Sequence, residues 1–266
     1  MHTRRYGPAL RRRLLWPFAA PALLLYVVLM LATTAAEARD KLVLVRPADK
    51  ESGYARRLFQ LVAEDAFGKL GYDVEIRNYP PLRASREADA GNVDGEAGRT
   101  LQYGDAHPAL VRADEVIVVV RIAAFTTDPA LRLDGWDSLK DKPLRIGYRS
   151  GYALSKMRLE HVVPASRLSS VVDGQVGMQR LALGLIDLYV DTNEFGQLMM
   201  EKMPDRYGKV RVAGWMEQLP LYFYLHRRHA ALAPRLAAIL REMRADGALD
   251  RYVEQAFLEN AAPPAH

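Results

Sequence analysis

Hydrophobic and polar positions alternate along the chain with two different periods. Residues 41–46 form a short apolar run that ends at Pro47, which is typical of a buried strand. Residues 55–70 then place apolar side chains three and four positions apart, which predicts a helix that ends at Gly71. Residues 73–77 alternate polar and apolar side chains and predict a second strand. This succession predicts an α/β fold with mostly parallel sheets.

The same alternation continues to the C-terminus. Further strands are predicted at residues 94–98, 115–122, 144–148, near 171, and at 186–191, 210–212 and 219–225. Further helices are predicted at residues 82–91, from 152 through 159, and at 177–184, 194–203, 234–245 and 249–257. The loop after Phe125 carries Pro129 and Gly135, so we expect the chain to pass into a second domain near residues 122–126.

The N-terminus has the pattern of an export signal. Arg4, Arg5 and the arginines at 11–13 precede an apolar run over residues 14–31, and Ala36-Glu37-Ala38 fits a signal-peptidase site. We therefore predict cleavage after Ala38 and a periplasmic location. The apolar run is also near the length that spans a membrane, so an uncleaved anchor is the alternative.

Composition excludes several classes of function. The chain has 37 basic residues, 32 acidic residues and no cysteine, so disulfides, thiolate metal sites and lipid attachment to cysteine are excluded. Without residues 1–38 it keeps 32 basic and 31 acidic residues, and no basic stripe for nucleic acid remains. No P-loop, dinucleotide, G-x-S-x-G or zinc motif is present, so we predict no cofactor. His226 and His229 lack a third metal ligand and indicate a basic surface turn.

Four further segments resemble one family. In order and spacing, they are similar to segments of the family-3 bacterial extracellular solute-binding proteins. The four segments are Asn92-Val-Asp-Gly95, residues 136–147, Leu183-Gly-Leu-Ile-Asp-Leu-Tyr-Val-Asp191 and the last helices over 225–252. That family includes the polar-amino-acid receptors of ABC importers.

The resemblance implies a periplasmic-binding-protein fold of type II, with two α/β lobes, two hinge-crossing strands and a ligand cleft between the lobes. Lobe one would take residues 39–122 and 218–260, and lobe two residues 123–217, with a disordered tail at 261–266. It implies a monomer that closes on a small ligand without catalysis.

The candidate ligand-binding residues lie where predicted strands end. They are Tyr79, Arg83, Arg99, Thr100, Tyr103, Phe125, Tyr148, Arg149, Ser150, Asp191, Thr192 and Glu194. The segment 148–151 precedes a helix N-terminus, which favours an anion, although Ser150 could simply cap that helix. Thr192 could likewise be a cap, Tyr103 and Phe125 could be core, and Arg99 or Arg83 could lie on a solvated surface. By resemblance, Asp191 occupies a position that often receives a ligand amino group.

The sequence also departs from the family. Amino-acid receptors usually carry a carboxylate-binding arginine shortly after the position of Thr100, where this chain has Leu101-Gln-Tyr103. We expect the ligand to be a small polar or anionic solute, delivered to an ABC permease. The alternatives are a protein that presents its ligand to a membrane sensor, and a periplasmic dehydratase that would use Glu96 or Glu194 as its acid.

Overall fold

The computed structural model describes residues 39–47, 53–150 and 153–261. The predicted signal peptide, Gly151 and residues 262–266 of the predicted tail lie outside this range. The strands are β1 (Lys41–Pro47), β2 (Asp73–Tyr79), β3 (Gly95–Arg99), β4 (Leu110–Arg112), β5 (Val118–Thr126), β6 (Ile146–Arg149), β7 (Leu168–Val171), β8 (Leu188–Thr192) and β9 (Arg211–His226).

The α-helices are α1 (Gly53–Lys69), α2 (Pro81–Asp89), α3 (Tyr103–Ala106), α4 (Ala153–Val162), α5 (Gly174–Ala182), α6 (Asn193–Lys202), α7 (Pro204–Tyr207), α8 (Leu232–Ala245) and α9 (Ala248–Ala261). Short 3₁₀ turns occur at Trp136–Leu139, Ala165–Arg167 and Arg227–His229. Helices α1 and α2 are followed by Gly71 and Gly91, whose φ angles of 87° and 71° suit glycine and end each helix as predicted. No helix in the described ranges is long and apolar enough to span a bilayer.

The strands run in the order β2-β1-β3-β9-β5-β8-β6-β7, and β4 also pairs with β9. Strand β1 is parallel to β2 and β3, and β6 is parallel to β7 and β8. Strand β9 is antiparallel to all three strands that pair with it, β3, β4 and β5. We call β2, β1, β3 and β4 the first sheet and β5, β8, β6 and β7 the second sheet. Strand β9 joins the two, so the predicted α/β class is confirmed.

Each sheet has its own apolar core. On the first sheet, α1, α8 and α9 bury their apolar faces, and Phe223 meets Phe59 and Phe67 edge to face at centroid distances of 6.4 and 5.7 Å. Each fully buried phenylalanine contributes about 1.5–3 kcal/mol. The second sheet has a separate cluster on each face, one around Ile146 and one around Tyr189. The two sheets are therefore packed largely independently.

Strand β9 is the main difference from the sequence prediction. Two strands were predicted, at 210–212 and 219–225, but the structure has one strand of 16 residues. Residues 211–221 pair with β5, and residues 222–225 pair with β3. The strand passes from one sheet to the other, so its buried side chains do not follow one alternation. Residues 118–121 of β5 and 218–221 of β9 pair only with each other and therefore form a two-stranded connection between the sheets.

Candidate functional site

The carboxyl end of β3 carries a buried polar cluster around Glu96. The Glu96 side chain is fully buried and forms an ion pair with Arg99. The Tyr103 hydroxyl donates to Glu96 Oε1 at 2.5 Å and lies 2.7 Å from Ser85 Oγ, which also accepts from Arg99 at 3.1 Å. Burial, reinforced by the hydrogen bond to Glu96, raises the pKa of Tyr103. Arg99 is thus held inside the protein rather than free on the surface.

The Arg99 guanidinium also lies over the Tyr103 ring, 4.4 Å from its centroid. A second pair of the same kind stands at the end of β2, where Arg83 lies over Tyr79 at 4.4 Å. The Arg83 side chain is 55% exposed, and its ion pair with Glu87 is long, at 3.8 Å. These four predicted residues place two arginines and two aromatic rings at the ends of β2 and β3, the two strands that flank β1 in the first sheet. Thr100 lies directly after β3 and is half-buried.

The second sheet carries a buried ion pair at the corresponding strand ends. Asp191 Oδ2 accepts from Arg149 Nε at 2.9 Å and from the Tyr189 hydroxyl at 2.8 Å, and its Oδ1 accepts from the Thr192 N–H at 2.7 Å. The two charged side chains are 4% and 0% exposed. Burial raises the pKa of Asp191, and the Arg149 charge opposes that rise. The Arg149 guanidinium also lies 4.0 Å from the centroid of the Phe195 ring.

A second arginine–aspartate pair joins the same two strands at their opposite ends. Arg145 bonds Asp187 through Nη2 and Oδ1 at 2.7 Å, and both groups are partly exposed. Ile146 lies beside Leu188 in the parallel register of β6 and β8. That register explains why both pairs span 42 positions. This contact gives Asp187 a structural role.

The other predicted residues of the second sheet lie in cores or caps. Phe125 is fully buried against α6, where a Cβ at Gly196 would overlap its ring, and Tyr148 is buried in the cluster around Ile146. Thr192 is the N-cap of α6 and accepts from the Phe195 N–H at 3.4 Å. The Ser150 N–H donates to the β7 carbonyl of Val171. The capping role that competed with ligand binding at Thr192 is therefore present.

Asp94, in the segment Asn92-Val-Asp-Gly95, connects β1 to the turn after β9. Asp94 accepts from the Val43 N–H at 2.7 Å and from Arg228 and His229 at 2.6 Å each. Burial opposes ionisation, but these hydrogen bonds together lower the pKa of Asp94. His229 lies in the basic turn after β9, as predicted. Within the described residues, no group of three or more potential ligands is arranged to hold a metal ion.

A cavity of about 560 Å³ lies where α1 and α9 of the first sheet meet α6 of the second. Its lining residues are Tyr54, Arg121, Asn193, Glu194, Gln197, Met200, Glu201, Asp250, Val253, Glu254 and Phe257. Of the residues predicted from the sequence, only Glu194 belongs to it. Tyr54 and Phe257 meet edge to face at a centroid distance of 6.3 Å.

The inner end of this cavity is short of hydrogen-bond donors. Asn193 Oδ1 and Glu194 Oε2 are both buried and have no hydrogen-bond partner in the described part of the chain. Burial raises the pKa of Glu194, and Arg121 partly offsets the rise. Burial, and then the nearby Glu194 charge, raises the pKa of Tyr54. Sequence reasoning missed Tyr54, Arg121 and Asn193, because none of them belongs to a motif.

One curated relative and many solved structures resemble the chain. A protein of Shewanella oneidensis described as uncharacterized is 30% identical over 209 residues, which cover 78% of this chain and 79% of that protein. No protein-family model matches the chain.

The similar solved structures share the fold at low sequence identity. A histidine kinase sensor domain similar to periplasmic binding proteins has a TM-score of 0.59 at 16% identity, covering 82% of this chain and 96% of that one. An ancestral arginine-binding protein bound to arginine has 0.60 at 17%, covering 82% and 99%. A Streptococcus pneumoniae amino acid ABC transporter substrate-binding protein bound to L-arginine has 0.59 at 14%, covering 84% and 97%. The chain therefore has the two-lobed periplasmic-binding-protein fold.

Proposed function

Since this chain belongs to the same protein family as the Shewanella oneidensis protein and has a two-lobed binding-protein fold, we propose that it is an exported, periplasmic solute-binding protein. It captures a small polar or anionic solute between its lobes and performs no chemistry on it. The lobes follow the division at residues 39–122 with 218–260, and 123–217. The signal peptide is removed after Ala38.

The connection between the two sheets carries this proposal. Among the described strands only β9 pairs with strands of both sheets, and over residues 118–121 of β5 and 218–221 of β9 these two strands pair only with each other. A two-stranded connection of this kind bends more easily than the wide sheets on either side, so it suits a hinge. Closure about it brings the strand ends of one lobe toward those of the other.

The strand ends of the first sheet form one wall of the proposed cleft and those of the second sheet form the other, and the two walls present different groups to a ligand. The first has Arg83 over Tyr79, which suits a carboxylate or another anion because a guanidinium group can bind such a group with two hydrogen bonds, while Arg99 over Tyr103 is held by Glu96 and Ser85. Arg83 is the more exposed arginine and is available to a ligand. The second wall has the fixed ion pair of Arg149 with Asp191, which orients the ends of β6 and β8 around the ligand.

A thermal-shift screen tests the proposal. The protein, expressed from its full-length gene and purified, is heated with amino acids, small organic acids, polyamines and sugars. A ligand at a hundredfold excess over its Kd stabilises the folded state by about 2.7 kcal/mol. Arg83→Gln should abolish the shift, whereas Arg86→Gln, an exposed arginine on the same helix, should keep it. If no compound raises the melting temperature, or if both variants keep the shift, the proposed site is wrong.

Transport and sensing are both represented among the similar structures, so sensing is the second candidate. The two roles separate in a deletion strain supplied with the identified ligand. Loss of ligand uptake supports delivery to an ABC permease. Normal uptake with loss of the transcriptional response supports presentation to a membrane sensor.

A further inference from the structure

The cavity between α1, α9 and α6 is separate from the polar clusters at the strand ends. Neither Arg99 nor the pair of Arg149 and Asp191 lines it. Its walls come from helices of both sheets, with Tyr54 and Phe257 on one side and Asn193 and Glu194 on the other. This cavity and the strand-end site proposed above therefore use different side chains.

The inner end of the cavity requires a hydrogen-bond donor. Asn193 is 4% exposed, and its Oδ1 has no partner in the described structure, nor has Oε2 of the neighbouring Glu194. The amide oxygen of Asn193 can only accept hydrogen bonds, as can Oε2 of Glu194 when that carboxylate is ionised. Buried acceptors without donors destabilise a protein, so a ligand that brings N–H groups would satisfy them.

The charge of the lining points to a cation. Four carboxylates line the cavity, from Glu194, Glu201, Asp250 and Glu254, and none of them forms an ion pair within the residues described. Arg121 supplies the positive charge of the described lining, and its guanidinium lies 5.2 Å from the centroid of the Trp215 ring. An excess of carboxylates raises the local concentration of cations.

The remaining walls suit a hydrocarbon chain. Tyr54 and Phe257 form an aromatic corner, and Met200 and Val253 add aliphatic surface. Aromatic faces also attract ammonium groups directly. The volume of 560 Å³ is that of a small-molecule site.

We propose that this cavity binds an aliphatic oligoamine. One ammonium group donates to Asn193 Oδ1 and Glu194 Oε2, the methylene chain packs on Tyr54 and Phe257, and a further ammonium group lies among the exposed carboxylates. A free amino acid fits less well, because its carboxylate would face four acidic side chains and a single arginine. Since the walls belong to both sheets, the bound amine would hold α6 against α9.

Isothermal titration calorimetry with spermidine and 1,5-diaminopentane tests this proposal, with glutarate as the anion of matched length. We expect saturable binding of both amines and none of glutarate to this cavity. Glu194→Gln should weaken amine binding by about tenfold or more, because a charge-assisted hydrogen bond is lost. Glu242→Gln removes the same charge from an exposed position on α8 and should leave the affinity unchanged.

The outcomes separate this proposal from the previous one. No amine binding to the wild type, or equal affinities of Glu194→Gln and Glu242→Gln, would overturn the oligoamine site. A ligand whose binding depends on Arg83 would still support the strand-end site in that case. Amine binding that depends on Glu194 but not on Arg83, with no other ligand found, would support the cavity and overturn the strand-end site. Thermal unfolding of Glu194→Gln checks that its fold is intact.

Discussion

The two arginine–aspartate pairs that join β6 to β8 predict very different costs for the same substitution. Asp191→Ala would remove a carboxylate that pairs with the Arg149 guanidinium, which is 4% exposed, and would remove the acceptor of the Tyr189 hydroxyl and the Thr192 N–H. Removing one partner of a buried pair costs about 3–5 kcal/mol. Asp187→Ala breaks a pair whose side chains are 34% and 56% exposed, so its cost should stay below about 1 kcal/mol.

Urea unfolding and thermal unfolding, both followed by circular dichroism, measure the cost of each substitution as a free energy and as a change in melting temperature. In a domain of this size, about 2–4 °C of melting temperature corresponds to each kcal/mol. Asp191→Ala should therefore lower the melting temperature by roughly 6–20 °C, and Asp187→Ala by less than about 4 °C. If the two variants differ by less than about 0.5 kcal/mol, the argument from burial is refuted.

A double substitution separates charge from packing. Arg149→Met with Asp191→Leu replaces the pair by apolar side chains, so no buried charge is left behind. We expect this double variant to be more stable than Asp191→Ala alone, because a buried pair seldom outweighs its own desolvation. A double variant that is less stable than Asp191→Ala would show that the pair stabilises the fold in its own right. Loss of ligand binding in Asp191→Ala alone therefore does not identify a ligand contact.

Two further predictions concern packing and titration. Gly196→Ala should lower the free energy of unfolding by about 1–3 kcal/mol, because its Cβ would overlap the buried Phe125 ring. Gln197→Ala, the control, should change it by no more than about 0.5 kcal/mol. Equal unfolding midpoints of the two variants in urea would contradict this prediction. Hydrogen bonds from Arg77 and Lys41 lower the pKa of Glu75 to about 2. The contribution of Glu75 to stability is therefore present above its unfolded pKa and is lost as the pH falls toward 2. Because salt screens exposed charges, 1 M salt should raise the pKa of Glu75 in an NMR titration. A pKa near 4.3 at low salt would disprove the pairing.

Regular elements with a single periodicity were predictable from the sequence. The helix at Gly53–Lys69 and strand β2 turn one apolar face toward the core of the first sheet, so their periodic patterns survive in the sequence. Strands β1 and β8 are buried on both faces and are therefore short apolar runs in the sequence. Strand β4 has three residues and gave no pattern. The sequence pattern predicted two strands in place of β9, because β9 contacts two cores in succession. At Gly214 within it, a Cβ would overlap the carbonyl of Leu133, so this glycine permits close packing and does not end the strand.

The candidate site was predictable only where position in the fold determines it. Residues after strands β2, β3, β6 and β8 could be chosen because strand ends meet at a sheet edge, but their partners could not. The pairing of Glu96 with Arg99 and of Arg149 with Asp191 depends on side-chain directions that a single sequence does not specify. The cavity brings α1, α6 and α9 together from distant parts of the chain. Arg121 lies in the middle of an apolar strand, and nothing in the sequence indicated that it lines the cavity.

The central position of β9 has a consequence for the order of folding. Without residues 211–226, strands β2-β1-β3 and β5-β8-β6-β7 are two separate sheets, each formed from one continuous stretch of sequence, 41–99 and 118–192. Each stretch can pair its own strands at modest loop-closure cost. Strand β9, which is synthesised after both stretches, then inserts between β3 and β5. A chain interrupted before residue 211 would expose two unpaired sheet edges at once, and such edges invite aggregation. Completion of the chain is therefore the step that protects both halves together.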